Sequence, residues 1–338
     1  MEKSSLEPIK VSVCISVHNT AKYLPRCLDS VCAQTLQSLE IVVVNNGSTD
    51  NSEDIMRGYA VKHSERKFVI VSQEDRSLAG GRQTGINHAS GEYLTFLDAD
   101  DLISPEAYER MLTCAEREHV EIVEIETKRD NKILSSNLTG THNSHDVLKQ
   151  YFKKGGIHSM LWMRLYRRDL FTKPVLPSIY TNNEDMFALP CLLHAAKKIH
   201  FLKEPLHTYS TDNENSVMQS ETNNPELAER RFQSRKKALL SIPHFKEYVG
   251  EKEYSEYFEA HNQYIAKYIF GFLVVEFLGK TMQDKYNAVF ETLNFQSKKE
   301  IRKYLCRWLP KGRLDTYAIY RLFGMDITIK FNKVFHKS

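Results

Sequence analysis

Three carboxylates fall within four positions at Asp98-Ala99-Asp100-Asp101, directly after the apolar run 93–97. The length and composition of that run suit a buried strand, and the acids stand where it would end. Asp98 and Asp100 are two apart, so in extended backbone they share a face. Clustered carboxylates repel and lose hydration on burial; they persist where a cation neutralises them or water bathes them. Oxygen ligands of this kind suit Mg2+ or Mn2+ holding substrate phosphates. The competing reading is a helix start, with Asp100 or Asp101 capping the helix that begins at Ser104-Pro105-Glu106-Ala107. Two other groups could serve the same ligand. Asn45-Asn46-Gly47-Ser48 supplies amides and a hydroxyl able to pair with a base edge, or it is a plain turn. Ala79-Gly80-Gly81-Arg82 could offer backbone N–H groups and a guanidinium to a diphosphate, or Arg82 is simply solvated.

These groups need elements to hold them. Segments 11–17, 41–44, 68–72 and 93–97 read as buried strands, and 23–35, 52–66 and 78–89 as helices between them. Such alternation implies right-handed βαβ crossovers and a mostly parallel sheet. Ligands on such sheets sit at the carboxyl ends of the strands. That rule places His18-Asn19, Asn45-Asn46 and 98–101 on one rim, and favours the ligand-cleft reading of the acids over the cap.

Bulk properties narrow the class. The 338 residues have room for one large domain or two unequal ones. A net charge of +3, from 46 basic and 43 acidic residues, argues against a nucleic-acid partner. The six cysteines form no C-x-x-C pair and no metal spacing, as expected for reduced thiols of a cytoplasmic protein. Segment 1–10 has no apolar core of a signal peptide. The greasiest stretch, 264–278, is broken by Lys267 and Glu276 and is too short to span a bilayer. A soluble or peripheral protein is expected.

The order of motifs resembles family-2 glycosyltransferases with the GT-A fold. Val11-Ser12-Val13-Cys14-Ile15-Ser16-Val17-His18-Asn19 and the following Tyr23-Leu24-Pro25-Arg26 resemble the family's opening, and Asn46-Gly47-Ser48-Thr49-Asp50 its second block. Arg82-Gln83-Thr84-Gly85 and Phe96-Leu97-Asp98-Ala99-Asp100-Asp101 are similar to its third block and its DXD block. Trp162-Met163-Arg164-Leu165-Tyr166 and Asn183-Glu184-Asp185 are similar to its acceptor-side segment and E-D motif. The resemblance runs over residues 10–217 and implies inverting transfer of a sugar from a nucleotide-diphosphate donor to an acceptor hydroxyl. It implies that Asp100, helped by Asp98, holds Mn2+ or Mg2+ on the diphosphate. Val17, His18, Asn19, Asn46, Asp98 and Ala99 would border the nucleotide, and Arg82 would face it or its diphosphate. Asp185 would be the general base, with Glu184 orienting it or touching the acceptor. Asn215 and Ser216 would contact phosphate, and His207 would supply a third metal ligand, against its more ordinary structural role. The bland alternative for Glu184-Asp185 is a cap for a helix over 186–196.

Three departures from the family pattern stand out. Asn45 and Asn46 replace the usual acids; Asn46 can accept from uracil N3–H but also donates, which weakens a uracil preference while leaving UDP the expected nucleotide. Gly80-Gly81 replaces Ala-Ala and should loosen the helix start by about 1 kcal/mol per Gly. Ser210 stands where relatives place an Arg, which leaves the metal and Arg82 to neutralise the diphosphate.

The expected architecture is therefore α/β: a GT-A catalytic domain with a mostly parallel sheet over 1–217, then a helical, basic region over 218–338. Residues 298–338 hold eleven Lys and Arg against three acids, interleaved with aromatics. That pattern suits peripheral contact with anionic membrane, at the inner face of the cell membrane, where a lipid-linked or glycan acceptor would be met; the alternative is a helical appendix packed through its aromatics. A nucleotidyltransferase would need a Gly-rich basic loop after the first strand, which Val17-His18-Asn19-Thr20 does not supply. A decayed, donor-binding scaffold is suggested by Asn45, Asn46 and Ser210, and opposed by the joint presence of Asp98, Asp100, Arg82 and Asp185.

Overall fold

The computed structural model describes residues 8–153, 156–177, 183–213, 225–274 and 280–309. The chain divides into two compact units, Met1–Tyr151 with Gly155–Gln219 and Phe152–Lys154 with Ser220–Ser338. The first is built on β1 (Val11–Val17), α1 (Leu24–Cys32), β2 (Leu39–Asn46), α2 (Ser52–Lys62), β3 (Lys67–Gln73), α3 (Ser77–His88) and β4 (Tyr93–Asp98). It continues through β5 (Leu102–Ile103), α4 (Ala107–Glu118), β6 (Ile122–Arg129), β7 (Lys132–Leu134), β8 (Gly140–Asn143) and α5 (Ser144–Lys153), then β9 (Arg164–Arg167), α6 (Asp185–Ala195) and β10 (Lys198–Tyr209).

The sheet order is β3-β2-β1-β4-β9-β6-β10-β5, with β7 on β6 and β8 on β10. β3, β2, β1 and β4 are mutually parallel. β9 runs antiparallel to both β4 and β6, and β10 returns parallel to β6. β1 and β2 are buried along nearly their whole length, because helices cover both faces of the parallel part. α1 shows the matching stripe: Leu24, Cys27, Leu28, Val31 and Cys32 are buried at helical spacing, and its first turn contains Pro25.

α3 lies unusually close to the sheet. A Cβ on Gly81 would meet Ser16 Oγ at 2.0 Å, and one on Gly85 would meet Cys14 Cβ at 3.0 Å. Residues 14 and 16 lie two apart on β1, and 81 and 85 four apart on α3, so one face meets one face. Gly81 therefore has a packing role that offsets its poor helix propensity.

The helix-cap reading of the acids does not hold. β5 intervenes between them and α4, whose N-cap is Glu106 without a side-chain bond. The second unit is helical: α7 (Pro225–Leu240), α8 (His244–Val249), α9 (Glu251–Tyr254), α10 (Phe258–Val274), α11 (Met282–Leu293) and α12 (Lys298–Trp308). Its helix starts are well specified, with a Thr281–Asp284 capping box on α11 and Ser297 capping α12. Two of the C-terminal aromatics turn inward here: Tyr304 Oη donates to Asn262 Oδ1 at 2.9 Å, and Trp308 packs edge-on against Phe258. The rest of the basic tail, 310–338, lies outside the described residues. Among the described residues no helix is long and apolar enough to cross a membrane. The cysteines are unpaired, five buried and Cys306 exposed.

Candidate active site

Strand β4 delivers Asp98 at its carboxyl end, and the turn after it carries Asp100 and Asp101. The first turn of α6 brings in Asp185, preceded by Glu184 as N-cap residue. Between these two motifs, 83 residues apart at their nearest, stands Arg82 from α3. Its side chain is only 3% exposed. One guanidinium nitrogen, Nη2, donates to Asp98 Oδ1 at 2.9 Å, while Nη1 donates to Glu184 Oε1 and to Asp185 Oδ1. Burial works against the Arg82 charge, but Asp185, Glu184 and Asp98 outweigh it and raise its pKa further. Arg82 thus lies among carboxylates in this structure, where the sequence led us to expect it facing a nucleotide or its diphosphate.

The two acids of the E-D pair have different surroundings. Glu184 is 1% exposed and Asp185 is 19% exposed. Glu184 is therefore sealed against Arg82, and only Asp185 offers an edge to an incoming hydroxyl. Burial raises the pKa of both, with Arg82 partly opposing the shift. The backbone N–H of Leu161 also opposes the rise at Asp185.

Asp100 and Asp101 also diverge. Asp100 Oδ2 accepts from Asn213 Nδ2 at 2.7 Å, and burial, with Asp101 beside it, pushes its pKa up from 3.8 to about 6. Asp101, 1% exposed, accepts from the Ser210 backbone N–H at 2.8 Å, and its other oxygen lies 3.4 Å from His207 Nε2. His207 is fully buried, with Trp162 stacked on it at 4.3 Å, and burial drops its pKa to about 4. Asp98, Asp100 and His207 accordingly face three different partners: Arg82, Asn213 and Asp101. Among the described residues no three His, Cys, Asp or Glu side chains are gathered to hold a metal ion. An ion here would rest on one or two carboxylates and complete its shell from phosphate and water, as Mg2+ and Mn2+ commonly do.

At the β1–β2 end of the rim, His18 and Asn19 are exposed after β1. His18 Nδ1 lies 2.9 Å from the Asn46 carbonyl, which can only accept, so that nitrogen carries the proton. Asn19, at φ 52°, accepts the Thr49 N–H at 2.7 Å through Oδ1. Val17 offers its carbonyl to Ser48 Oγ at 3.4 Å, and Ala99 is buried. Asn46 differs from expectation. Its Oδ1 accepts from Gln73 Nε2 at 2.7 Å and the Arg76 N–H at 3.2 Å; its Nδ2 donates to the Ser77 carbonyl at 2.9 Å and Asp75 Oδ1 at 3.3 Å. Every amide position is thus engaged within the protein, and the residue is 2% exposed. Asn45 is likewise engaged, by Glu53 and the Ser48 N–H.

Asn215 and Ser216 lie outside the described residues. Sequence reading assigned no role to Arg26, whose two Nη atoms clasp Asp212 at 2.7 and 2.6 Å while Nη2 reaches the Asp100 carbonyl at 3.1 Å. A pairing 186 residues apart leaves no local signal.

Residues 12–173 match the family described as glycosyl transferase family 2. EpsH of Bacillus subtilis (strain 168), provisionally named a glycosyltransferase, is 31% identical over 215 residues, covering 60% of this chain and 61% of EpsH. YibD of Escherichia coli (strain K12), named an uncharacterized glycosyltransferase, is 27% identical over 215 residues, covering 60% of this chain and 62% of YibD. The chain thus spans about three fifths of the length of these curated relatives. Among solved structures, S. aureus TarS in complex with UDP-GlcNAc superposes with a TM-score of 0.64 at 17% identity, over 97% of this chain and 92% of that one. At that identity the likeness is one of fold: the mixed α/β architecture with its mostly parallel sheet is shared with this GT-A glycosyltransferase.

Proposed function

We propose, on the premise that residues 12–173 form a family 2 glycosyltransferase domain, that the protein moves a sugar from a nucleotide-diphosphate donor to an acceptor hydroxyl with inversion. One observation carries this reading: Arg82 ties Asp98 to Glu184 and Asp185, so the acids after β4 and the acid at the start of α6 share one site. TarS, whose fold this chain shares, was solved with UDP and with UDP-GlcNAc, and on that likeness we take UDP as the nucleotide.

The donor set fits a divalent cation. Three carboxylates, Asp98, Glu184 and Asp185, gather on the Arg82 guanidinium, Asp100 and Asp101 follow Asp98 in the chain, and one Asp101 oxygen has no hydrogen-bond partner. Asp100, with help from Asp98, would hold Mn2+ or Mg2+, which when bound supplies positive charge for the diphosphate as it leaves. Asp185 takes the proton of the acceptor hydroxyl as that oxygen attacks the anomeric carbon. Burial, by raising its pKa, brings this base nearer the working pH. Arg82 fixes its carboxylate, so little reorganisation is needed at the moment of attack. A single displacement inverts the centre, and an α-linked donor gives a β-linked product.

The acceptor we assign is a growing surface glycan, lipopolysaccharide or capsule among them, met at the inner face of the membrane. A donor screen tests the reading by following nucleotide diphosphate release with and without Mn2+ for wild type, Asp100→Ala and Asp185→Asn. Turnover that survives both substitutions overturns it.

A further inference from the structure

The loop entering β9 is fastened from beneath by the strand it leads into. Arg164 is completely buried and is a cross-strand neighbour of Glu124 on β6, with which Nη2 pairs. The same guanidinium donates to two loop carbonyls, His158 at 2.6 Å and Met160 at 2.5 Å. Two residues on, Tyr166 Oη donates to the Leu161 carbonyl at 3.2 Å. Three carbonyls in four residues are thus fixed by side chains of one strand. The loop so held lays the Trp162 ring over His207 at 4.3 Å, and His207 Nε2 in turn lies 3.4 Å from Asp101.

We infer that Arg164 is a positioning residue for the site: its fork, kept charged and compensated by Glu124, sets the loop that lays Trp162 over His207, the histidine beside Asp101. For the reaction this rests on the function proposed above. A pair serving strand cohesion alone would have no reason to reach His158 and Met160. Only a planar fork can serve a carboxylate and two carbonyls at once; a lysine ammonium in this place keeps the charge but lacks the span. A buried ion pair is also a weak source of net stability, since well-packed apolar residues often replace one without loss.

The test uses full-length protein carrying Trp308→Phe, which leaves Trp162 as the single tryptophan. Two variants are compared with it: Arg164→Lys, and Arg164→Met combined with Glu124→Leu so that no buried charge is left alone. We expect both to keep the circular dichroism of the parent while Trp162 emission moves to longer wavelength and acrylamide quenching rises. We expect kcat for nucleotide release to fall roughly 100-fold with donor KM unchanged, the signature of a site held out of place. A folded variant whose Trp162 emission and quenching match the parent overturns the inference. If the double variant does not fold, Arg164→Lys decides by the same readouts. If the parent releases nucleotide from no donor, the proposed reaction fails, and the fluorescence alone still judges the positioning role.

Discussion

At the β1–β2 end of the rim, Asn46 engages all four of its hydrogen-bonding positions with Gln73, Arg76, Ser77 and Asp75. At the β4–α6 end, three carboxylates, Asp98, Glu184 and Asp185, meet one buried guanidinium, and Glu184 and Asp101 each keep an oxygen without a hydrogen-bond partner. The first network closes on itself because amides carry both donors and acceptors. The second cannot close, because carboxylates only accept and repel one another. A closed polar network fixes a fold; an open one, with surplus negative charge, is what a cation and a proton-bearing substrate can complete.

The largest effects should come from the open end. Asp185→Asn and Asp100→Ala should each lower nucleotide release by about 1000-fold or more, measured at saturating donor; retention of turnover by either would remove the contrast. Arg82→Met should destabilise the fold by about 3–5 kcal/mol in urea titration, because it strands buried carboxylates, and Glu184→Gln should recover part of that loss. An Arg82→Met protein as stable as the parent would mean that the acids are relieved some other way.

The closed end should respond more modestly. Asn46→Asp would set a carboxylate against Asp75 and the Ser77 carbonyl, with a loss of about 1–3 kcal/mol by thermal unfolding and little change in which nucleotide is accepted. A large switch in base preference would instead return base reading to residue 46. The smallest effect is graded by pH. Asp100 titrates in the folded protein near 6 rather than 3.8, so without cation its ionisation lowers stability as pH rises from about 4 to 6. A cation that needs it ionised should bind about tenfold more weakly per pH unit below 6 and at constant strength above. Calorimetry with Mn2+ from pH 5 to 7 checks this; a flat profile would exclude Asp100 as the ligand.

The parallel core was readable because apolar runs and helical stripes are local patterns. Segment 11–17 coincides with β1, and 93–97 with β4 less its last residue. The acids were readable too, being consecutive. Their partners were not. That Arg82 faces Asp98 and the E-D pair together depends on how α3 and α6 pack against β4, and nothing in the neighbourhood of residue 82 encodes it. Gly80-Gly81 looked like a weakened helix start, because propensity is a property of one segment while the contact of Gly81 with Ser16 belongs to two. The partners of Asn46 were hidden for a related reason: Gln73 and Asp75, which fill its valences, come from the far end of β3 and the loop beyond it. Arg164 sat in plain view as part of a recognised segment, but its burial beside Glu124 follows from β9 lying antiparallel between β4 and β6.

The glycine contacts of α3 have one more implication. With no side chain on Gly81, the α3 backbone rests here on the Ser16 side chain, and that contact sets the height of Arg82 above the sheet. A redesign that seeks a different acceptor can therefore alter the loops around the site freely, as long as positions 14, 16, 81 and 85 stay untouched. Enlarging Gly81 would lift the guanidinium off its acids as surely as deleting it.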